Sequence, residues 1–506
     1  MKQYLQNTAF GIFFITLAAY ILVSFPFLNA DADYGLGWSR GPYTDEGLYT
    51  AQIRNSFITG HINFEESDGV IKNPLYAFIA WIVLRSFGDS MLIMRLSCLL
   101  ISGVILAVLI AKTDRFGWLM KVLFVSSICS YYPLQYSHLA MAEMTCISVI
   151  LISLYFLYAR LIGGSSWNIF AATCAGCIVY SLKFQFIYIA ALPPLAFTFQ
   201  LIIELIHNSK QCQTAWINVC ISYLATIIFV TLFYLCWITP HYDIFSYVIH
   251  SQAAERVSNF NSLPRNLYYN FKEISRNPQS WPILFVLFTG LGCIILNWQS
   301  FKSNLKKNDL NKLALIIPAS TWLILESHKL ILSYLPSRYF VSFLVAIAFF
   351  GIACIEVCRN KTTLPFINNS NANRTIGLVF LLVITLNVTF YFKAFMSRRF
   401  IIHNAQTQFI NEKIWKNKVV LGAWSSSLFW GTGAITIPVW KNYFNDKAII
   451  ETLHPDAVVS ETDQADSPQA YDHSGTILPN IPNYTLHIKI WDINIYKMNS
   501  TTYSME

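Results

Sequence analysis

Two adjacent carboxylates, Asp45 and Glu46, lie in the run Tyr43-Thr44-Asp45-Glu46-Gly47-Leu48-Tyr49, where aromatic and small residues would hold an acid close to a bilayer surface. A carboxylate so placed has the chemistry of a general base, able to take a proton from an attacking hydroxyl. Cations follow along the chain: Lys72 in Lys72-Asn73-Pro74-Leu75-Tyr76, Arg95 in Met94-Arg95-Leu96, and Lys183, which interrupts an apolar stretch. Glu143 closes the turn that begins at His138, and His328, Lys329 and Arg338 bracket Tyr334-Leu335-Pro336-Ser337-Arg338-Tyr339.

Taken singly, most of these have plain readings. Lys72 reads as a lysine snorkelling at a helix end, Glu143 as an acid favoured at a helix N-terminus, and Lys183 and Arg338 as interfacial anchors. Arg256 and Arg265 read as solvated loop cations, and so do the remaining acids of the first loop, Asp31, Asp33, Glu65, Glu66 and Asp68, as solvated carboxylates. Arg95 is different: a lone charge inside a span costs about 2.5–3.5 kcal/mol on insertion scales, so it calls for a partner. Taken together, acids and cations from five separated segments suit a substrate whose phosphate lies at headgroup level while its tail stays in lipid.

The elements that must position them are membrane helices. Of the 506 residues 55% are hydrophobic and only 12% charged, against roughly 25% charged in a soluble protein. The pattern predicts a polytopic α-helical protein with about eleven spans, over residues 9–28, 91–111, 119–136, 144–161, 167–182, 184–205, 216–238, 281–298, 313–325, 339–358 and 376–395. The run 74–88 is too short to cross and reads as an interfacial helix, with a second over 45–60. The 11 cysteines imply no disulfide framework, and the Cys174/Cys177 pair inside an apolar run reads as helix packing. The net charge of +8 is concentrated in short loops, so it sets orientation rather than marking a nucleic-acid partner.

With the N-terminus in the cytoplasm, the loops carrying Lys112, Arg115 and Lys121, then Lys302, Lys306, Lys307 and Lys312, then Arg359, Lys361 and Arg374 obey the positive-inside rule; Arg398 and Arg399 run against it. Residues 31–73, 137–143, 183, 241–280 and 326–338 then share the outer face. Two units are expected: a transmembrane part, 1–396, and a small extracytoplasmic α/β domain, 397–506, with strands at 419–424, at 457–460 and along Leu486, Ile488 and Ile490.

In their order these motifs resemble the GT-C superfamily of membrane glycosyltransferases that use polyprenyl-phosphate sugars, the group containing protein O-mannosyltransferases and the aminoarabinose transferase of lipid A. Asp45-Glu46 resembles its acidic pair, Lys72-Asn73-Pro74-Leu75-Tyr76 its lysine-proline-leucine-tyrosine element, and Arg95-Leu96 the arginine-leucine opening of the next span. Glu143 is similar to its second-loop acid, Lys183 to the lysine after the fifth span, and Ser337-Arg338-Tyr339-Phe340 to its proline-arginine-tyrosine element. Asn73, Ser337 and His138 depart from the pattern.

The resemblance implies sugar transfer from a polyprenyl-phosphate donor to a hydroxyl of a lipid, protein or envelope polysaccharide, at the outer face of a bacterial cytoplasmic membrane. It implies Asp45 and Glu46 as catalytic carboxylates, with Asp45 the base, and Lys72, Arg95, Lys183 and Arg338 as donor-phosphate ligands. Glu46 and Glu143 would either orient partners of Asp45 or hold a divalent metal through oxygen. A transporter or lipid flippase is the competing class, and it would place its charges at midplane depth.

Overall fold

In a computed structural model, residues 2–37, 39–112, 118–207, 211–256, 260–299, 301–302, 313–359, 370–441, 452–462 and 467–498 are described. Among them eight helical stretches are long and apolar enough to cross a membrane: Ala9–Phe27, Met91–Lys112, Glu143–Leu161, Phe184–Ile206, Cys212–His250, Pro278–Leu296, Ser337–Cys358 and Gly377–Glu412. The three other expected spans are shorter helices, Trp118–Ile128, Trp167–Leu182 and Ile316–Ser327. The run 119–136 is interrupted because Ser130 adopts an extended conformation, after which Tyr131–Ser137 forms a separate helix. The loop residues Arg115, Lys306, Lys307, Lys312 and Lys361 lie outside the described residues.

The segment between the first two membrane-crossing stretches folds into helices as anticipated, with different bounds. Its two longer helices are Gly41–Thr59 and Pro74–Phe87, joined by the short Gly69–Lys72 helix. The first begins four residues earlier than its pattern suggests, because Pro42 sits at its start with a backbone already set for a helix. Fifteen residues of this helix, from Gly41 to Asn55, are buried. It is clamped rather than lying at a free interface: an added Cβ on Gly47 would stand 2.4 Å from the backbone of Ser426 and Ser427.

The C-terminal region carries a five-stranded mixed sheet in the order β2-β1-β3-β5-β4. The strands are β1 Val419–Leu421, β2 Ile435–Ile437, β3 Ala457–Glu461, β4 Tyr484–Ile488 and β5 Trp491–Lys497. β1 pairs in parallel with β2 and β3, whereas β5 runs antiparallel to β3 and β4. The apolar alternation of Leu486, Ile488 and Ile490 is therefore not one strand. The chain reverses at Lys489, in a left-handed conformation, and Ile490 lies exposed in the turn.

One apolar core runs from the bundle into the sheet, joining Tyr76, Met94 and Leu139 to Trp424, Trp491 and Ile493. Polar ties reinforce it. Asp31 accepts from the backbone N–H of Ile401 (2.8 Å) and Ile402 (3.0 Å), capping the Ile401–Glu412 helix from across the chain. Asn55 pairs with the backbone of Thr436 as a strand would, at 3.0 Å in each direction. Arg398, the exception to the charge rule, donates to the carbonyls of Phe395 and Pro26, each at 2.7 Å. It caps helix ends where carbonyls are otherwise unpaired, which gives a cation a reason to be there.

Candidate active site

Asp45 and Tyr49 are four residues apart and so share one face of the Gly41–Thr59 helix. The Tyr49 hydroxyl donates to Asp45 Oδ2 at 3.1 Å. Arg338, second residue of the Ser337–Arg359 helix, forms an ion pair with the same oxygen, Nε to Oδ2 at 3.1 Å. Its Nη1 donates to Ser39 Oγ at 3.3 Å. Space for the guanidinium comes from Gly41, where an added Cβ would fall 1.4 Å from Nη1. Among the described residues Asp45 Oδ1 makes no hydrogen bond, and the side chain keeps 8% exposure.

The network continues inward. Lys183 Nζ donates to the Tyr49 hydroxyl at 2.9 Å, lies 4.7 Å from the centre of its ring, and pairs with Glu143. Lys183 is placed by the end of the Trp167–Leu182 helix, where the backbone turns extended, and Glu143 by the first position of Glu143–Leu161. Arg338, Asp45, Tyr49, Lys183 and Glu143 thus alternate charge along one buried line. Burial drives the Tyr49 phenol well above its usual range, with the Asp45 and Glu143 charges adding to the shift, so it stays a neutral donor.

Glu46 points elsewhere. Its Oε1 accepts from Arg95 Nε at 2.7 Å and from the Ala140 N–H at 2.5 Å, and its Oε2 accepts from Arg95 Nη2 at 2.5 Å. Arg95 Nη1 donates to the carbonyls of Leu28 (2.9 Å) and Ala30 (2.7 Å). The partner that Arg95 demanded is Glu46, and this bidentate pair closes the helix, the first span's end and the 138–142 turn onto one another. His138 is buried beside it, its ring tilted against Phe27 with centres 5.4 Å apart, and burial together with the Arg95 charge pushes its imidazole down to about 3.

Lys72 stands apart from this line, paired with Asp68 one helical turn before it. The first-loop acids divide: Glu65 is exposed and Asp33 half-buried, but the other three are not solvated. Asp31, Glu66 and Asp68 are buried, and Glu66 accepts from Asn55 Nδ2 at 2.7 Å. Lys329 and Glu326 form a further buried pair, 2.7 Å apart, satisfied by Tyr188, Trp322 and Ser342.

No group of three or more His, Cys, Asp or Glu side chains is arranged to hold a metal among the described residues. Glu46 spends both oxygens on Arg95 and a backbone N–H, whereas Glu143 gives Oε1 to Lys183 and its buried Oε2 accepts no hydrogen bond among the described residues.

Sequence reading missed that the C-terminal region packs directly on the helix carrying Asp45. Arg40, just before the Asp45 helix, donates to Glu461 Oε1 at the end of β3, at 2.7 Å. Tyr43 packs against Trp424 and Trp491, with ring centres 6.1 and 5.7 Å away. The four-residue spacing of Asp45 and Tyr49 was the one local signal available; Gly41 and Ser39 gave none.

No protein-family model matches the chain, and no curated protein does. Solved structures do share its fold. It superposes on ArnT from Cupriavidus metallidurans in the apo state with a TM-score of 0.60 and 13% identity, over 98% of this chain and 100% of that one. Against ArnT from the same organism bound to undecaprenyl phosphate the TM-score is 0.56, again at 13% identity, over 97% and 99% of the two chains. The fold is that of ArnT: a polytopic helical bundle with a small mixed sheet at its C-terminal end.

Proposed function

We propose that this chain is a membrane glycosyltransferase that moves a sugar from a polyprenyl-phosphate donor to a hydroxyl acceptor at the outer face of a bacterial cytoplasmic membrane. The observation that carries the reading is Asp45: one oxygen is fixed by Arg338 and Tyr49, the other is uncommitted, and the group sits on a fold that in ArnT accommodates undecaprenyl phosphate. The charge line lies at helix ends rather than at midplane depth, which favours interfacial chemistry over transport.

In this mechanism Asp45 Oδ1 takes the proton of the acceptor hydroxyl as its oxygen bonds to the anomeric carbon. The bond from that carbon to the phosphate oxygen breaks, and polyprenyl phosphate leaves with the electron pair. Its developing negative charge is stabilised by Arg338 and Lys183, fixed cations in a site of low polarity, where such charges act more strongly than in water. Lys72, at 20% exposure, meets the phosphate at the outer edge. Arg95 and Glu46 support the site structurally. Holding both substrates at one buried edge supplies much of the rate.

The test compares the sugar composition of purified lipid, protein and polysaccharide fractions from cells with and without the gene. Loss of one sugar from one fraction identifies the acceptor class. Identical fractions across growth conditions would overturn the transferase reading.

A further inference from the structure

The Leu263–Arg276 helix lies between two membrane-crossing stretches, Cys212–His250 and Pro278–Leu296. Its three faces differ in chemistry, as follows from 100° per residue. Asn266, Asn270 and Ile274 form the docked face. Asn266 Nδ2 donates to the Ile331 carbonyl at 3.1 Å, Asn270 Nδ2 to the carbonyls of Leu330 and Leu332 at 2.9 Å each, and Ile274 is buried. The docking partner leads directly into Ser337 and Arg338, so the helix lies on the same side of the membrane as Asp45.

Leu267, Tyr268 and Phe271 form a second face and are 45%, 61% and 61% exposed. Arg265, Lys272 and Arg276 form a third, at positions i, i+7 and i+11, about 110° round from the apolar one. None of the three forms an ion pair among the described residues; Arg265 and Lys272 lean on Tyr269, at 5.6 and 5.7 Å from its ring. At the helix's end the Trp281 indole donates to the Ser275 carbonyl at 3.0 Å, and the next membrane stretch begins at Pro278, which pins the helix to the membrane boundary.

An aromatic face and a cationic ladder, carried at that depth on one rigidly docked helix, fit one partner. We propose that Leu263–Arg276 is a binding surface for anionic phospholipids of the outer leaflet: Leu267, Tyr268 and Phe271 enter the acyl boundary while Arg265, Lys272 and Arg276 hold headgroup phosphates. The apolar wedge fixes depth and the cations select charge. This interaction is independent of the sugar chemistry and stands whether or not the transferase reading does.

The test uses the full chain with a photoreactive benzophenone side chain at Phe271, reconstituted in vesicles of phosphatidylcholine and phosphatidylglycerol. On illumination the label is expected to join lipid, with phosphatidylglycerol about threefold or more above its share of the bilayer. Arg265→Gln, Lys272→Gln and Arg276→Gln together should keep the lipid adduct and return its composition to the bulk share. Salt at about 1 M, where the screening length is about 3 Å, should do the same to the unaltered cations. Adducts to protein alone, or a phosphatidylglycerol share equal to the bulk at low salt, would overturn the proposal.

Discussion

Asp45 and Glu46 are neighbours in sequence and opposite in commitment: Glu46 accepts at both oxygens from Arg95 and Ala140, whereas Asp45 keeps Oδ1 without a hydrogen bond among the described residues. Consecutive helical residues point about 100° apart, so one turn of one helix supplies both a structural anchor and an available base.

Breaking the buried Glu46–Arg95 pair leaves an uncompensated charge, at a cost of about 3–5 kcal/mol. Glu46→Gln is expected to unfold at clearly lower temperature in detergent than the unaltered chain. If it keeps full stability while losing turnover, Glu46 belongs to the chemistry instead.

Gly41→Ala should act in the reverse way. Alanine suits a helix, but its Cβ would occupy the space of Arg338 Nη1, 1.4 Å away, so the guanidinium must move off Asp45. A displacement of that size is expected to reduce turnover by about 10²-fold with little change in unfolding temperature. Paired turnover and unfolding measurements check this, and full activity would show that the arginine's position is not critical.

His138 makes stability depend on pH. Its imidazole titrates at about 3 in the fold and near 6.5 in an unfolded chain. Between those values the unfolded chain binds a proton that the folded one refuses, so stability falls as pH falls, by about 1.4 kcal/mol per unit once well below 6.5. Going from pH 7 to pH 5 should lower the unfolding temperature of the unaltered chain more than that of His138→Gln. Equal slopes in the two proteins would remove His138 as the source.

How much of this was legible in the sequence follows from what kind of signal each part leaves. Apolar length and charge placement reveal the membrane bundle, and the order of Asp45, Lys183 and Arg338 points to one face. Pairing is not legible, because Arg95 with Glu46 and Lys183 with Glu143 are tertiary choices separated by 49 and 40 residues. Short strands fail for the same reason: β2 has three residues and gains its pairing only beside β1. The tie from Arg40 to Glu461 spans 421 residues and leaves no local trace.

The central claim, that Asp45 is the base, is tested most directly by turnover of Asp45→Asn in purified membranes at matched abundance, with a polyprenyl-phosphate sugar donor. Asparagine keeps the shape beside Arg338 and Tyr49 and removes the proton acceptor. The account predicts a rate lower by at least about 10²–10⁴ with the protein still folded; turnover near that of the unaltered enzyme would contradict it.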